Sequence, residues 1–244
     1  MPGLMELTSR RLISTLAGGV AVAALTVGAI DPAYAQAAPT DYKERAPLEQ
    51  YRIAGEADEV ALARSAAPAA ISNDAEILTL GASGYQTAVK GKNGFVCLVL
   101  RAWSSGFDDA EFWNPKERAP ICLNPEAARS VLPNDLNRTK WVLAGAAKPE
   151  MVDRTKAAIA AHEIVAPEIG SMSYMMSKDG YLNDRDGHWH PHLMFFLPRM
   201  AAAEWGANLK GGAVIADDSS LEPLTVFFVP VTRWSDGTPG PTPR

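Results

Sequence analysis

The 244-residue chain is poor in cysteine and histidine, with two and four respectively, and it carries no excess of basic charge. Two cysteines are too few for a disulfide-dense miniprotein. Lys and Arg together number 23 against 28 Asp and Glu, a net charge of −5. Nucleic-acid wrapping calls for a basic face, so no nucleic-acid partner is expected. The longest apolar run, Leu16 to Ile30, falls short of the roughly 20 residues that a spanning helix needs, which excludes a polytopic membrane protein. The motifs G-x-S-x-G, H-E-x-x-H, G-x-G-x-x-G, the P-loop and C-x-x-C are all missing. What remains is 47% hydrophobic and 21% charged, the composition of a globular chain.

The N-terminal segment has the form of an address. Arg10-Arg11 precede the apolar run, and Asp31-Pro32 and Ala33-Tyr34-Ala35 follow it. A charged start, a short apolar stretch and an A-x-A site predict a secretory signal over residues 1–35. Cleavage after Ala35 is expected first, and cleavage after Ala37 second. Ser9-Arg10-Arg11-Leu12-Ile13 resembles the twin-arginine export signal of bacteria, S/T-R-R-x-F-L-K, with Ile13 in place of Phe and Thr15 in place of Lys. The resemblance implies passage across the membrane in a folded state, often with a cofactor in place. The mature chain is expected in the periplasm or secreted, with no stable membrane span after cleavage. Outside the inner membrane, Cys97 and Cys122 are expected to form one disulfide, worth roughly 3 kcal/mol in the chain-entropy model.

Along the mature chain, residues 36–55 read as a flexible arm, 56–234 as one domain and 235–244 as a disordered tail with three prolines. Helices are expected over Glu56–Ala67, Pro125–Leu132 and Lys148–Val165, the last with His162 on its apolar stripe. Strands are expected at Glu76–Leu80, Tyr85–Val89, Phe95–Trp103, Trp141–Ala144, Ser171–Met176, His190–Leu197 and Leu224–Val231. Asn93-Gly94 predicts a hairpin pairing Phe95–Trp103 back on Tyr85–Lys90. Residues 104–124 read as a long aromatic loop covering the sheet and pinned by Cys122. The fold class is α+β, a single domain of mainly antiparallel sheet with two or three helices packed on one side.

Chemistry is expected at Asp186-Gly187-His188-Trp189-His190-Pro191-His192. Alternate side chains of a strand share a face, so neighbouring histidines lie roughly 6.7 Å apart, within reach of one metal ion. His188 and His192, roughly 13 Å apart, share an ion only if the chain bends at Pro191. Further ligands are sought in His162, Glu163, Asp184 and Asp186, with Met176 or Met194 for copper. Imidazole suits Zn, Cu, Fe or Ni, so a transition metal (Zn, Cu or Fe) is the expected cofactor. The cluster looks a little like the H-x-H of cupins, but Met194 and Phe195 stand where that pattern needs Glu. An exported metal-binding protein of unassigned activity is therefore the first functional expectation. A non-catalytic exported binding or structural domain without metal is the alternative, motivated by the aromatic loop 103–113.

Overall fold

A computed structural model describes residues 42–184 and 187–241. All of them belong to one compact unit. The expected signal, residues 1–35, lies outside the described residues. Eight strands form one sheet: β1 (Glu76–Gly81), β2 (Gly84–Val89), β3 (Val96–Leu100), β4 (Ala119–Leu123), β5 (Met172–Met175), β6 (His192–Pro198), β7 (Ile215–Asp217) and β8 (Leu224–Pro230). Their order is β2-β1-β3-β4-β5-β6-β8-β7, antiparallel throughout except between β1 and β3. Five α-helices accompany them: α1 (Glu56–Arg64), α2 (Ala69–Ser72), α3 (Pro125–Ser130), α4 (Leu132–Leu143) and α5 (Lys148–Ala160). The mixed α+β class and the mainly antiparallel sheet agree with the sequence. Among the described residues no helix is long and apolar enough to cross a membrane.

Among the described residues the helices number five, roughly in line with the two or three expected, and they pack on both faces of the sheet rather than one. The strand alternation explains why. On one face Ile77, Cys97, Val99 and Cys122 pack with Ala63, Ala66 and Ala67 of α1 and the turn after it. On the other, Leu98, Leu100, Ile121 and Leu123 pack with Ala127 of α3, Val131 and Leu132. Each of β3 and β4 is apolar on both sides, so each needs two covers. Asp58 and Glu59 in the first turn of α1 and Arg64 in its last complement the helix dipole. Asn124 caps α3 by accepting from the Ala127 amide at 3.0 Å, with Pro125 in the first turn.

Several expected elements move. The hairpin lies between β1 and β2, closed by Ala82-Ser83 with Gly84 at φ 129°, not between β2 and β3. Gly91 explains the rerouting. A Cβ there would sit 2.3 Å from the Glu76 amide nitrogen, so the chain can pass this close to β1 only as glycine. β3 then enters on the far side of β1. Residues 119–123, read as loop, are β4, and Trp141–Leu143, read as strand, end α4. β6 begins at His192 rather than His190, because Pro191 has no amide to give the ladder. α5 stops at Ala160, and His162 adopts a left-handed φ of 59° just beyond it.

The described residues before α1 and after β8 also pack on the domain. In the arm expected to be flexible, Tyr51 is fully buried and donates to the Trp113 carbonyl at 2.8 Å, and Arg45 Nη1 donates to the Val142 carbonyl at 2.5 Å. Of the expected tail, residues 235–241 are described: the Ser235 amide donates to Met176 O at 2.9 Å and Lys178 pairs with Asp236 at 2.6 Å. The aromatic loop is an apolar cover, with Phe112 and Trp113 packed on Tyr51, Trp103, Val142 and Met151. Its pin is this cluster and not Cys122, which lies on β4.

Cys97 and Cys122 face each other across β3 and β4 and form a disulfide, 25 residues apart in sequence. A loop of that length stabilises the fold by about 3.5 kcal/mol in the chain-entropy model. Urea titration of Cys97→Ala/Cys122→Ala is expected to show a loss of that order. Equal midpoints for the double variant and the oxidised protein would refute it.

Candidate functional site

The sheet face carrying Leu100, Ile121, Met194, Phe196 and Val226 is the floor of a cavity of about 590 Å³. One wall is α4, through Asn134, Asp135 and Arg138. The loop from Ser104 to Glu117 forms a second wall, and residues 217–222, before β8, form a third. The volume falls among clefts of roughly 300–1,000 Å³ that take small ligands. The floor follows from strand alternation: Leu224, Val226 and Phe228 share one face of β8, and Met194 and Phe196 sit opposite Phe228 and Val226 on β6.

Arg138 organises one end. It is buried, and its guanidinium donates to Glu222 at 2.5 Å, to the Ser105 carbonyl at 2.7 Å and to the Trp103 carbonyl at 3.3 Å. Its plane lies 4.1 Å from the centre of the Phe107 ring. Burial raises the Glu222 pKa, but the Arg138 charge together with hydrogen bonds from Ser220, the Glu222 amide and Arg138 outweighs it and holds the carboxyl below its ordinary value. Arg138 Nε remains without an acceptor among the described residues.

Two further carboxyls stand at this end without such a partner. Glu117 is 5% exposed, and its hydrogen bond from Ser105 Oγ is long, at 3.5 Å. Burial, reinforced by Asp109 and Glu111, pushes its pKa up to about 8 against the weaker pull of Ser105 and Arg118. Asp135, on α4, is pushed up to about 6 by burial, which Arg138 only partly offsets. Ser104 lies beside Asp135 without completing a full hydrogen bond. Because Ser104 and Ser105 are consecutive, the two carboxyls are held at the same end of the cavity.

His192, at the start of β6, also lines the cavity, with its ring centre 6.4 Å from Trp189 and 5.7 Å from Phe228. Burial lowers its pKa, so the ring is neutral at pH 7. Its Nδ1 lies 2.7 Å from the His190 carbonyl. A carbonyl only accepts, so Nδ1 carries the proton and Nε2 keeps a free lone pair. Trp189, 7% exposed, lines the cavity too, and its indole N–H has no acceptor among the described residues.

Of the residues expected to bind metal, the cavity takes His192 alone, together with Met194. His188 is exposed and its Nδ1 donates to the Gly180 carbonyl at 2.8 Å. His190 is exposed. His162 and Glu163 are exposed beyond α5, whose buried residues are Met151, Thr155 and Ala158, so His162 is not on the apolar stripe. Asp184 accepts from Tyr42 at 2.6 Å, from Lys116 at 3.0 Å and from Tyr181, and these bonds bring its pKa down to about 2. Met176 is buried, and Asp186 lies outside the described residues. No group of three or more His, Cys, Asp or Glu among the described residues could hold a metal ion. Comparison of the chain with protein-family models, with curated proteins and with solved structures finds no match.

Glu117, Asp135, Arg138 and Glu222 were not among the sequence candidates. The folded chain keeps a proton on Glu117 between its ordinary value of 4.5 and about 8, where the unfolded chain has already released it. Folding stability therefore falls as pH rises through that window, by up to about 1.4 kcal/mol per unit. Glu117→Gln removes this slope. Its stability relative to the parent protein is expected to rise from pH 5 to pH 8 and then level off. Urea midpoints that differ by the same amount at every pH would refute the assignment.

Proposed function

We propose that the protein is an exported binding protein whose cavity takes a small amphiphilic molecule. The observation that carries this is the cavity itself: an apolar sheet floor of ligand-sized volume, with polar groups left without partners at its walls. Buried polar groups are normally paired, because leaving one unpaired costs about 1–3 kcal/mol. Trp189 N–H and Arg138 Nε–H are thus donors open to an acceptor, from water or from a ligand. The floor would supply most of the affinity, and these donors and the carboxyls the orientation.

The neutral fluorophore N-phenyl-1-naphthylamine is a direct probe of such a site. Its emission is expected to rise and saturate at one molecule per chain. Met194→Trp adds an indole to the floor and is expected to weaken binding about tenfold, the value of roughly 1.4 kcal/mol of lost contact. Absence of saturable binding, or indifference to Met194→Trp in a folded variant, would remove the proposal.

Export is supported by the signal pattern of residues 1–35 and fits the disulfide, which belongs in an oxidising compartment. Metal binding is the second reading. What favours it is that His188 and His192 both commit Nδ1 to a backbone carbonyl, the arrangement that fixes Nε2 for a metal. Protein recovered from a bacterial host without a His tag tests both. Mass spectrometry is expected to give a chain beginning at Gln36, and retention of residues 1–35 would refute export. Stoichiometric Zn, Cu or Fe that His190→Ala abolishes would replace the amphiphile reading with the metal reading.

A further inference from the structure

We propose that the cavity takes an organic cation, an ammonium group seated at the Glu117 and Asp135 end and carried on an apolar body that lies along the sheet floor. The proposal rests on the cavity being a binding site and names the chemical class of its ligand. Six carboxyls line the cavity: Asp108, Asp109, Glu117, Asp135, Asp217 and Glu222. Against them, the lining residues offer one guanidinium, Arg138, which Glu222 already neutralises. His192 adds no charge, being a neutral ring with its Nδ1 proton given to a carbonyl.

The deficit of positive charge is concentrated where it costs most. Glu117 is more than nine-tenths buried, lines the cavity and has one long hydrogen bond, from Ser105. A carboxyl in that position is destabilised by lost hydration and by Asp109 and Glu111 nearby. An ammonium group answers both. It pairs with Glu117 in its carboxylate form, the proton that Glu117 otherwise keeps up to about pH 8 passing to solvent, and its N–H donors make charge-assisted bonds. An anionic head group meets like charge in a low-dielectric cleft, and a neutral one gains no charge pairing. The aliphatic floor, from Leu100 and Ile121 to Phe196 and Val226, sets the rest of the ligand.

Three probes of one chain length isolate the head group: n-decylamine, n-decanol and n-decanoate. Each is titrated near neutral pH into the disulfide-intact protein carrying N-phenyl-1-naphthylamine, and displacement is read by fluorescence. The amine is expected to displace the dye at a concentration at least about tenfold lower than the alcohol or the carboxylate. Glu117→Gln and Asp135→Asn are each expected to cut that preference about tenfold while leaving the alcohol's affinity within about twofold, since a charge-assisted bond is worth roughly twice a neutral one. If either variant fails to fold, the ranking in the parent protein still decides. Decanol or decanoate matching the amine would overturn the cation and leave the binding cavity standing. A dye that never binds would overturn the cavity, and the cation with it.

Discussion

The Arg138–Glu222 pair is the interaction on which the cavity depends. It joins α4 to the segment before β8 across 84 positions of sequence, and both side chains are almost wholly buried. A buried guanidinium costs several kcal/mol unless its donors are used, and here Nη1 and Nη2 are spent on Glu222 and on the carbonyls of Trp103 and Ser105. Those carbonyls begin the aromatic loop, so one side chain fixes three walls at once. The same bonding decides the electrostatics. Glu222 consumes the charge of Arg138, so the guanidinium that shapes the site does little to neutralise Glu117 and Asp135.

The floor is held as firmly as the walls. Cys97 and Cys122 share one face of the sheet with Ile77 and Val99, and their immediate neighbours Leu98, Ile121 and Leu123 point to the other. The disulfide therefore ties together two strands whose opposite side carries the cavity. A second buried pair stiffens the edge of the same region. Arg101, fully buried, donates to Glu59 at 2.8 Å and to the Tyr51 carbonyl at 2.6 Å, linking the end of β3 to α1 and to the chain before it. Pockets on such scaffolds are largely preformed, so little ordering entropy is lost on binding.

Local signals in the sequence were legible where local physics decides. The apolar runs at 96–100, 192–198 and 224–230 are strands, Pro125 and Pro149 open helices, and the two cysteines pair. Signals failed where a contact distant in sequence decides. Asn93-Gly94 has hairpin chemistry, but Asn93 spends its side chain on the Ile71 carbonyl and the Phe95 amide, and Gly91 is pressed against Glu76. Trp141 and Val142 are β-formers that α4 absorbs because Val142 packs against Tyr51 and Met151. The histidine spacing drew attention to the start of β6, where His192 lines the cavity. Glu117 and Asp135 gave no sign, because a carboxyl in a loop and another on a helix read as solvated until the fold buries them together.

A buried carboxyl without a cation is a poor structural choice. At the position of Glu117 a glutamine would fill nearly the same volume, accept from Ser105 and need no proton to stay neutral, so packing alone gives no reason for the acid. The same holds for Asp135, partly buried on α4 and pushed upward by that burial. By contrast Glu59 and Glu222, equally buried, each have a guanidinium within 2.8 Å and need no further explanation. Buried acids in this chain thus fall into two kinds, those that the fold neutralises and those that it does not. The second kind both line the cavity, where perturbed carboxyls serve binding or chemistry more often than packing. A carboxyl that the fold leaves without a cation therefore suits a partner that the described residues do not provide.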